Sequence, residues 1–311
     1  MVALGIDFGT TNSAAAIAYD DERTELVAVD QSGLPELLPS LVYLDRDHLR
    51  LQGSDAARNF MVRGAAGTRC SRCDRVSVSS GVAYTECRQY AQGGRCSDAR
   101  LISGLKYEMA DAAFTGTNSW GEEYPLVELV ADVLRRLSTA AKRRAAVDDF
   151  DAVSIGFPFV FHGAEGPDFG ARQALARHRL LEAARLAGLR NVELVYEAQA
   201  AASAEDAETG LVLTTDFGGG TFDVAIIDFR GDPEVVGLGG VAIGGDLVDQ
   251  GIVRSYVMPH LGLDRTYLSQ SGARLGVPNQ LKSRLLSLSG LKHLMQDRSV
   301  GVLLRELEGV G

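Results

Sequence analysis

Apolar and polar positions along the N-terminal part of the chain follow the order strand, turn, strand, polar turn, strand. This pattern runs from Val2 to about Val29, with Asp20-Asp-Glu-Arg23 as the polar turn. Leu38-Pro-Ser-Leu-Val-Tyr-Leu44 reads as a further short strand, because an apolar run follows turn residues. Between Leu126 and Ala145 the period changes. Leu126, Leu129, Val130, Val133, Leu134 and Leu137 recur at helical spacing, and Lys142-Arg-Arg144 supplies the cations that suit a helix C-terminus. An alternation follows: strand Asp151–Gly156, helix about 171–187, strand Val192–Val195, helix about 198–206 and strand Leu211–Thr215. Gly188 is placed to stop the first of these helices. Alternation of this kind implies a sheet with parallel pairs and covering helices. From Asp246 onward the pattern reads as mostly helical, with Pro259 and Pro278 as breaks.

One unit of this pattern occurs twice. Leu4-Gly-Ile-Asp-Phe-Gly-Thr-Thr-Asn-Ser13 and Leu213-Thr-Thr-Asp-Phe-Gly-Gly-Gly-Thr-Phe-Asp223 are each an apolar strand ending in Asp, a turn of Gly and Thr, and a second strand. Units about two hundred residues apart suggest two domains of common plan rather than a short-period solenoid. Glycine lets backbone approach a ligand closely, and successive N–H groups at such a turn form an anion-binding concavity. Two of these turns facing each other would grip one polyphosphate from both sides.

The chain has 311 residues, 46% of them hydrophobic, as in an ordinary soluble globular protein with room for two domains. No apolar run approaches the roughly 18 residues needed to span a bilayer. The first strand begins at Val2, which leaves no room for a signal peptide, so a cytoplasmic location is expected and no membrane partner. A formal net charge of −10 argues against non-specific nucleic-acid binding.

All four cysteines lie in one stretch without clear periodicity, which reads as an inserted loop or small module. Cys70-Ser-Arg-Cys73 has zinc-knuckle spacing, and Cys87 and Cys96 would complete a tetrahedral site, although they are not themselves a Cys-x-x-Cys pair. Structural zinc, reduced bystander thiols and a redox disulfide pair all stay open. From Met61 to Arg100 the segment carries Arg63, Arg69, Arg72, Arg75, Arg88, Arg95 and Arg100 against Asp74, Glu86 and Asp98. That basic character suits a docking patch or, more commonly, solvated loop charge.

The acidic residues in and near the turns are Asp7, Asp216 and Asp223, with Glu197 at the end of a strand in Tyr196-Glu-Ala-Gln-Ala-Ala-Ala202. Carboxylates beside a triphosphate need an intervening cation, and Mg²⁺ prefers a few carboxylates with water and phosphate oxygens. The same set would orient an attacking water. Asp-Phe-Gly is also the magnesium triplet of protein kinases, but the chain has neither a glycine-rich loop over a Val-Ala-Ile-Lys strand nor a His-Arg-Asp loop. A Gly-x-x-x-x-Gly-Lys-[Ser/Thr] loop is absent as well.

These motifs, in this order, resemble the actin-like ATPase domain of the seventy-kilodalton heat-shock chaperones (DnaK-type Hsp70). Gly5–Ser13 is similar to the family's first phosphate motif and Asp216–Val224 to its second. Tyr196–Ala202 resembles the connecting Asn-Glu-Pro-x-Ala-Ala-Ala segment, with Ala198 where Pro is usual. Leu38–Leu44, Gly53–Asn59, Ile155–Pro158 and Gly244–Asp249 are similar to further stretches, and the resemblance covers most of residues 1–255. It implies an α/β, ribonuclease H-like ATPase fold of two lobes, each a mixed β-sheet with flanking helices. The expected lobes are 1–150, with the cysteine insertion at about 64–99, and 151–311. By resemblance, Gly9, Thr10, Thr11 and Asn12 would hold phosphates from one side, and Gly218, Gly219, Gly220 and Thr221 from the other. Asp7 and Asp216 would hold the Mg²⁺ shell through water, and Glu197 would position that shell or the hydrolytic water. Lys106 is the candidate for the catalytic lysine near the γ-phosphate, and Gly244 and Gly245 would approach the sugar-phosphate end.

The chain departs from the family toward its end. The second adenosine motif, Gly-Gly-[Ser/Thr]-x-x-x-Pro, and the Glu-x-x-Lys helix that closes over adenine are missing. The expectation is a divergent member, truncated, with an incomplete second lobe. Its function would be that of a slow, Mg-dependent ATPase of chaperone type, with ATP or ADP and a protein client as partners. The alternatives are a nucleotide-binding regulator or scaffold with a vestigial ATPase site, docking through the Cys/Arg insertion, and a filament-forming actin relative.

Overall fold

The computed structural model of the chain describes residues 1–66, 99–119, 122–202, 210–231, 233–262, 265–268, 272–277, 282 and 286. The four cysteines, and with them the zinc question, lie outside the described residues. The chain divides into two compact units. One comprises Met1–Asn59, Leu101–Asn118 and Glu122–Gly245, the other Phe60–Arg100, Ser119–Gly121 and Asp246–Gly311.

Two sheets of the first unit carry the two glycine turns, and further sheets, of three and two strands, lie between those turns in sequence. β1 (Val2–Asp7) and β2 (Asn12–Tyr19) form an antiparallel hairpin, in register from Val2↔Tyr19 to Asp7↔Ala14. β3 (Thr24–Leu26) and β4 (Leu38–Pro39) both add to β2. The expected strand 38–44 is divided: β4 ends at Pro39 and β5 (Val42–Asp45) pairs instead with β6 (Arg50–Gln52). The interruption falls just after Ser40, whose N–H still bonds to Thr11 O at 2.8 Å in the register of β4 with β2, before the chain leaves for β6. Helix α1 (Gly53–Ala66) and strand β7 (Ala99–Ile102) come next in the chain, then a 3₁₀-helix, Leu105–Ala110, and the strands β8 (Gly116–Ser119) and β9 (Glu122–Pro125).

Helix α2 (Leu126–Ala145) buries Leu126, Leu129, Val130, Val133, Leu134 and Leu137, the stripe expected from periodicity. It ends where Ala146 turns left-handed at φ 56°, beside Lys142, Arg143 and Arg144. β10 (Ala152–Phe157) then runs parallel to β1, Ala3↔Ala152 through Ile6↔Ile155. Helix α3 (Phe169–Leu186) crosses over to β11 (Val192–Tyr196), which is parallel to β10. The resulting order is β11-β10-β1-β2-β3. Parallel neighbours require such a crossover, because a tight hairpin can only reverse direction. Leu4, Ile6, Ile17, Val153 and Ile155 are buried at alternating positions of this sheet.

Helix α4 (Glu197–Ala202) follows β11 directly; the rest of the expected helix 198–206 lies outside the described residues. The second sheet is an antiparallel meander of β12 (Leu211–Phe217), β13 (Phe222–Asp228) and β14 (Glu234–Val241). The β12–β13 hairpin pairs Leu211↔Asp228 through Phe217↔Phe222.

In the second unit, helical structure continues through Ile252 from α5 (Gly245–Ile252), then through a π-helical turn, Val253–Val257, and a short helix, Met258–His260. Pro259 sits in that helix's first turn, where its missing N–H is tolerated, rather than breaking it. Between residues 265 and 277 the described chain departs from the helical expectation, while Pro278 and most of the residues after it lie outside the described residues. β15 (Thr266–Leu268) and β16 (Arg274–Gly276) form an antiparallel pair, and Gly262 and Gly272, at φ 67° and 79°, turn the chain out of helical geometry. Among the described residues, no helix is long and apolar enough to cross a membrane.

Candidate active site

The turn between β1 and β2 is Phe8-Gly-Thr-Thr11. A Cβ on Gly9 would lie 1.9 Å from the Asn12 carbonyl oxygen, so no side chain fits there without remaking the turn. Phe8 is buried and anchors one side. Ser40 braces the other: its Oγ donates to Gly9 O at 2.8 Å, its N–H donates to Thr11 O at 2.8 Å, and its Oγ lies 2.9 Å from the Ser13 Oγ. The Leu38-Pro-Ser segment therefore serves to hold the first turn.

The turn between β12 and β13 is Gly218-Gly-Gly-Thr221. Gly218 N–H donates to Thr221 O at 2.9 Å, and Gly245 N–H donates to Gly218 O at 3.0 Å. Gly244 is packed so closely that a Cβ would fall 2.5 Å from the Gly219 backbone. The two turns are apposed: a Cβ on Gly219 would meet Thr11 Oγ1 at 2.3 Å, and one on Gly220 would meet Thr10 Oγ1 at 2.7 Å. Threonine side chains of one turn thus lie against bare backbone of the other.

Beside the turns is a compact charge cluster. Lys106 Nζ donates to Glu197 Oε1 at 2.5 Å, and the two side chains are only 7% and 10% exposed. Lys106 comes from the 3₁₀-helix, and Glu197 from the junction of β11 with α4. Gly156 leaves room for the glutamate, since a Cβ there would approach Glu197 Cγ at 3.1 Å. Burial pushes the Glu197 carboxyl up to about 7, against the pull of Lys106 and with help from Asp7. Burial opposes the charge on Lys106, but attraction to Glu197 and then to Asp7 outweighs it and holds the ammonium above its ordinary value. The lysine is a cation at neutral pH.

Asp7 reaches solvent, yet the protein crowded around it raises its carboxyl; Lys106 counters this and Asp216 adds to it. Asp223 is buried and also raised, by burial first, although Phe159 N–H donates to its Oδ1 at 2.8 Å. Its Oδ2 is buried without a hydrogen-bond partner among the described residues. A set of carboxylates that repel one another beside a single lysine is a set that a cation would relieve. Among the described residues, no three His, Cys, Asp or Glu side chains form a metal cage. The carboxylate oxygens of Asp7 and Asp216 are hard donors of the kind Mg²⁺ takes one or two of, completing its shell with water and phosphate oxygens.

The structure thus brings Gly9, Thr10, Thr11, Gly218, Gly219, Gly220, Thr221, Gly244 and Gly245 into adjoining turns, with Asp7, Lys106 and Glu197 in one charge cluster that also feels Asp216. Asn12 is the first residue of β2, exposed at the edge of the first turn. Sequence reasoning missed Ser40 as a brace. It also missed Tyr107 and His162, which meet edge to face at 4.7 Å and line a crevice with Thr10, Lys106, Gly220 and Thr221. Ser40 lies in a stretch singled out by resemblance, but the roles of all three depend on contacts distant in sequence that no motif specifies.

Comparison with known proteins places the chain in a family. The family model described as Hsp70 protein matches residues 3–265. Chaperone protein HscA of Serratia proteamaculans (strain 568) is 34% identical over 253 residues, covering 80% of this chain and 36% of the relative. HscA of Enterobacter sp. (strain 638) is 30% identical over 268 residues, 84% of this chain and 38% of the relative. The HscA homolog of Histophilus somni (strain 129Pt) is 30% identical over 298 residues, 91% of this chain and 42% of the relative. The chain therefore spans about two fifths of the length of these relatives.

Proposed function

This chain belongs to the Hsp70 family, and we propose on that basis that it is a cytoplasmic, chaperone-type ATPase that binds Mg-ATP between its two apposed turns and hydrolyses it slowly. One observation carries the reading: Thr10 and Thr11 lie against Gly219 and Gly220, with a buried Lys106–Glu197 pair and the acidic residues Asp7 and Asp216 alongside. Bound Mg-ATP would supply the reactive phosphoanhydride and a cation to offset the charge on its leaving group.

The chain's own groups have separate tasks in this reading. The Thr10 and Thr11 hydroxyls and the glycine amides of both turns bind phosphate oxygens, which lose water when gripped from two sides. Asp7 and Asp216 orient the metal's water shell. Glu197, titrating at about 7, takes part in its ionised form by holding the attacking water through a hydrogen bond. Lys106 keeps Glu197 oriented and places a buried positive charge beside the γ-phosphate position. Gly244 and Gly245, in contact with the second turn, line the sugar-phosphate end. Nucleotide state then biases the angle between the two lobes, and with it the affinity for a protein client.

Asp216→Asn tests the assignment. Phosphate release should fall at least ~100-fold while Mg-ATP affinity falls no more than ~10-fold, because the change removes a metal-shell charge and no phosphate-gripping amide. Unchanged turnover in that variant would refute the assigned site. Tight Mg-ATP binding by the native chain without any turnover would favour the regulator reading instead.

A further inference from the structure

Arg179 stands on the apolar stripe of α3, with Ala176, Leu180, Ala183 and Ala184, and is buried like them at 8% exposure. A buried guanidinium without a carboxylate must satisfy its donors elsewhere. Among the described residues its acceptors are backbone carbonyls. Nη1 donates to Glu108 O and Met109 O, each at 3.1 Å, and to Asp111 O at 2.9 Å, while Nη2 donates to Phe114 O at 2.9 Å.

Those carbonyls belong to the end of the 3₁₀-helix Leu105–Ala110 and the residues just after it. The last carbonyls of a short helix are short of intrahelical donors and carry partial negative charge. Glu108 O and Asp111 O each accept one backbone N–H, from Asp111 and Phe114, and Arg179 adds a charged donor to them as well as to Met109 O and Phe114 O. A planar fork of donors fixed to a long helix therefore meets that need and sets the position of the whole turn. The same turn carries Lys106 in its first half and Tyr107 beside it. Lys106 reaches Glu197 at 2.5 Å, and the Tyr107 ring lies where a Cβ on Gly220 would approach its Cε1 at 3.2 Å. Any shift of the turn along α3 moves both side chains.

We propose that Arg179 is a positioning residue for Lys106: by gathering the carbonyls at the end of the 3₁₀-helix, it fixes where the ammonium meets Glu197. In its consequence for turnover the inference rests on the ATPase reading above; in its structural content it does not. The stripe of α3 is the sequence signal for it, since one arginine interrupts an otherwise small and apolar face at helical spacing.

Two readouts test it. Arg179→Lys keeps charge and stem but replaces the fork with a point donor. Phosphate release should fall about 10-fold with Mg-ATP affinity within about 3-fold, and Arg179→Lys with Lys106→Met should be no slower than Lys106→Met alone, because the arginine acts through the lysine. Independently of nucleotide, hydrogen exchange in Arg179→Lys should lose protection by about 10-fold across 105–114 and remain unchanged in β1 and β10. Arg179→Ala supplies a second variant, whose lost turnover and protection should return with added guanidinium and not with methylammonium.

Unchanged exchange at 105–114 would overturn the proposal, as would a double variant slower than Lys106→Met by the full Arg179 factor. Global unfolding of both Arg179 variants would overturn it too, because the residue would then support the fold at large. A native chain without turnover would fail the ATPase reading alone and leave the exchange result to decide this one.

Discussion

The two Asp-Phe-Gly hairpins share a sequence pattern but are held in different ways. The β1–β2 turn is braced from outside, by a serine from another strand segment that engages both Gly9 and Thr11. The β12–β13 turn closes on itself through Gly218 and Thr221 and is held by backbone alone, from Gly244 and Gly245. The first turn presents hydroxyl side chains, while the second presents bare peptide. Their sheets differ as well: Leu4, Ile6 and Phe8 around the first hairpin are buried, whereas Leu211, Leu213 and Phe217 along β12 are exposed. One motif can therefore serve as side-chain donor on one side of a site and as backbone donor on the other. Glycine is needed in the second turn because threonine projects from the first.

The largest effect should come from breaking the first turn. Gly9→Ala sets a methyl 1.9 Å from the Asn12 carbonyl, a backbone atom that cannot rotate away. Mg-ATP affinity should fall more than ~100-fold, with about 1–3 kcal/mol of lost stability from overpacking, read by calorimetry and urea unfolding. Equal affinity in this variant would mean that the first turn takes no part in binding.

Next in size is the pH response of the charge cluster between the turns. Glu197 holds its proton up to about 7, where an ordinary glutamate releases it near 4.5. Between those values the folded chain binds a proton that the unfolded chain does not. This contribution to stability is fully present below about 4.5 and is lost as pH rises through about 7. Glu197→Gln should flatten the unfolding free energy across that window. Turnover, needing the ionised form, should rise through about 7, and Lys106→Met should move that limb to higher pH, since the lysine's charge favours the carboxylate. A limb left near 4.5 in the native chain would contradict the buried pair.

The smallest effect isolates the external brace. Ser40→Ala removes one hydrogen bond to Gly9 O and one to Ser13 while sparing the backbone bond to Thr11. It should destabilise the chain by about 1–3 kcal/mol and weaken Mg-ATP binding several-fold, with hydrogen exchange rising around Gly9 and not around Gly219. Exchange that rises equally in both turns would dissolve the contrast between them.

Much of this was legible in sequence because it is local. The period of α2, the alternation of β10 and the glycine turns each lie within a few neighbouring residues, and they appear where periodicity places them. Lys106 and Glu197 were legible only through their motifs, since 91 positions separate the partners. Contacts that depend on a third element were hidden. Ser40 reads as a strand residue until its Oγ is seen on Gly9 O, and the stripe of α3 marks Arg179 as buried without naming the 3₁₀-helix carbonyls as its partners. The β15–β16 pair was lost for a different reason: its three-residue strands are too short for alternation to outweigh the helical run before them.

The most direct measurement is calorimetric titration of the folded chain with Mg-ATP, repeated with EDTA and with Gly9→Ala. The account predicts one-to-one binding that disappears when the metal is chelated and in the variant. Absence of binding by the native chain, or binding indifferent to both metal and Gly9, would contradict the claim that these two turns form a Mg-ATP clamp.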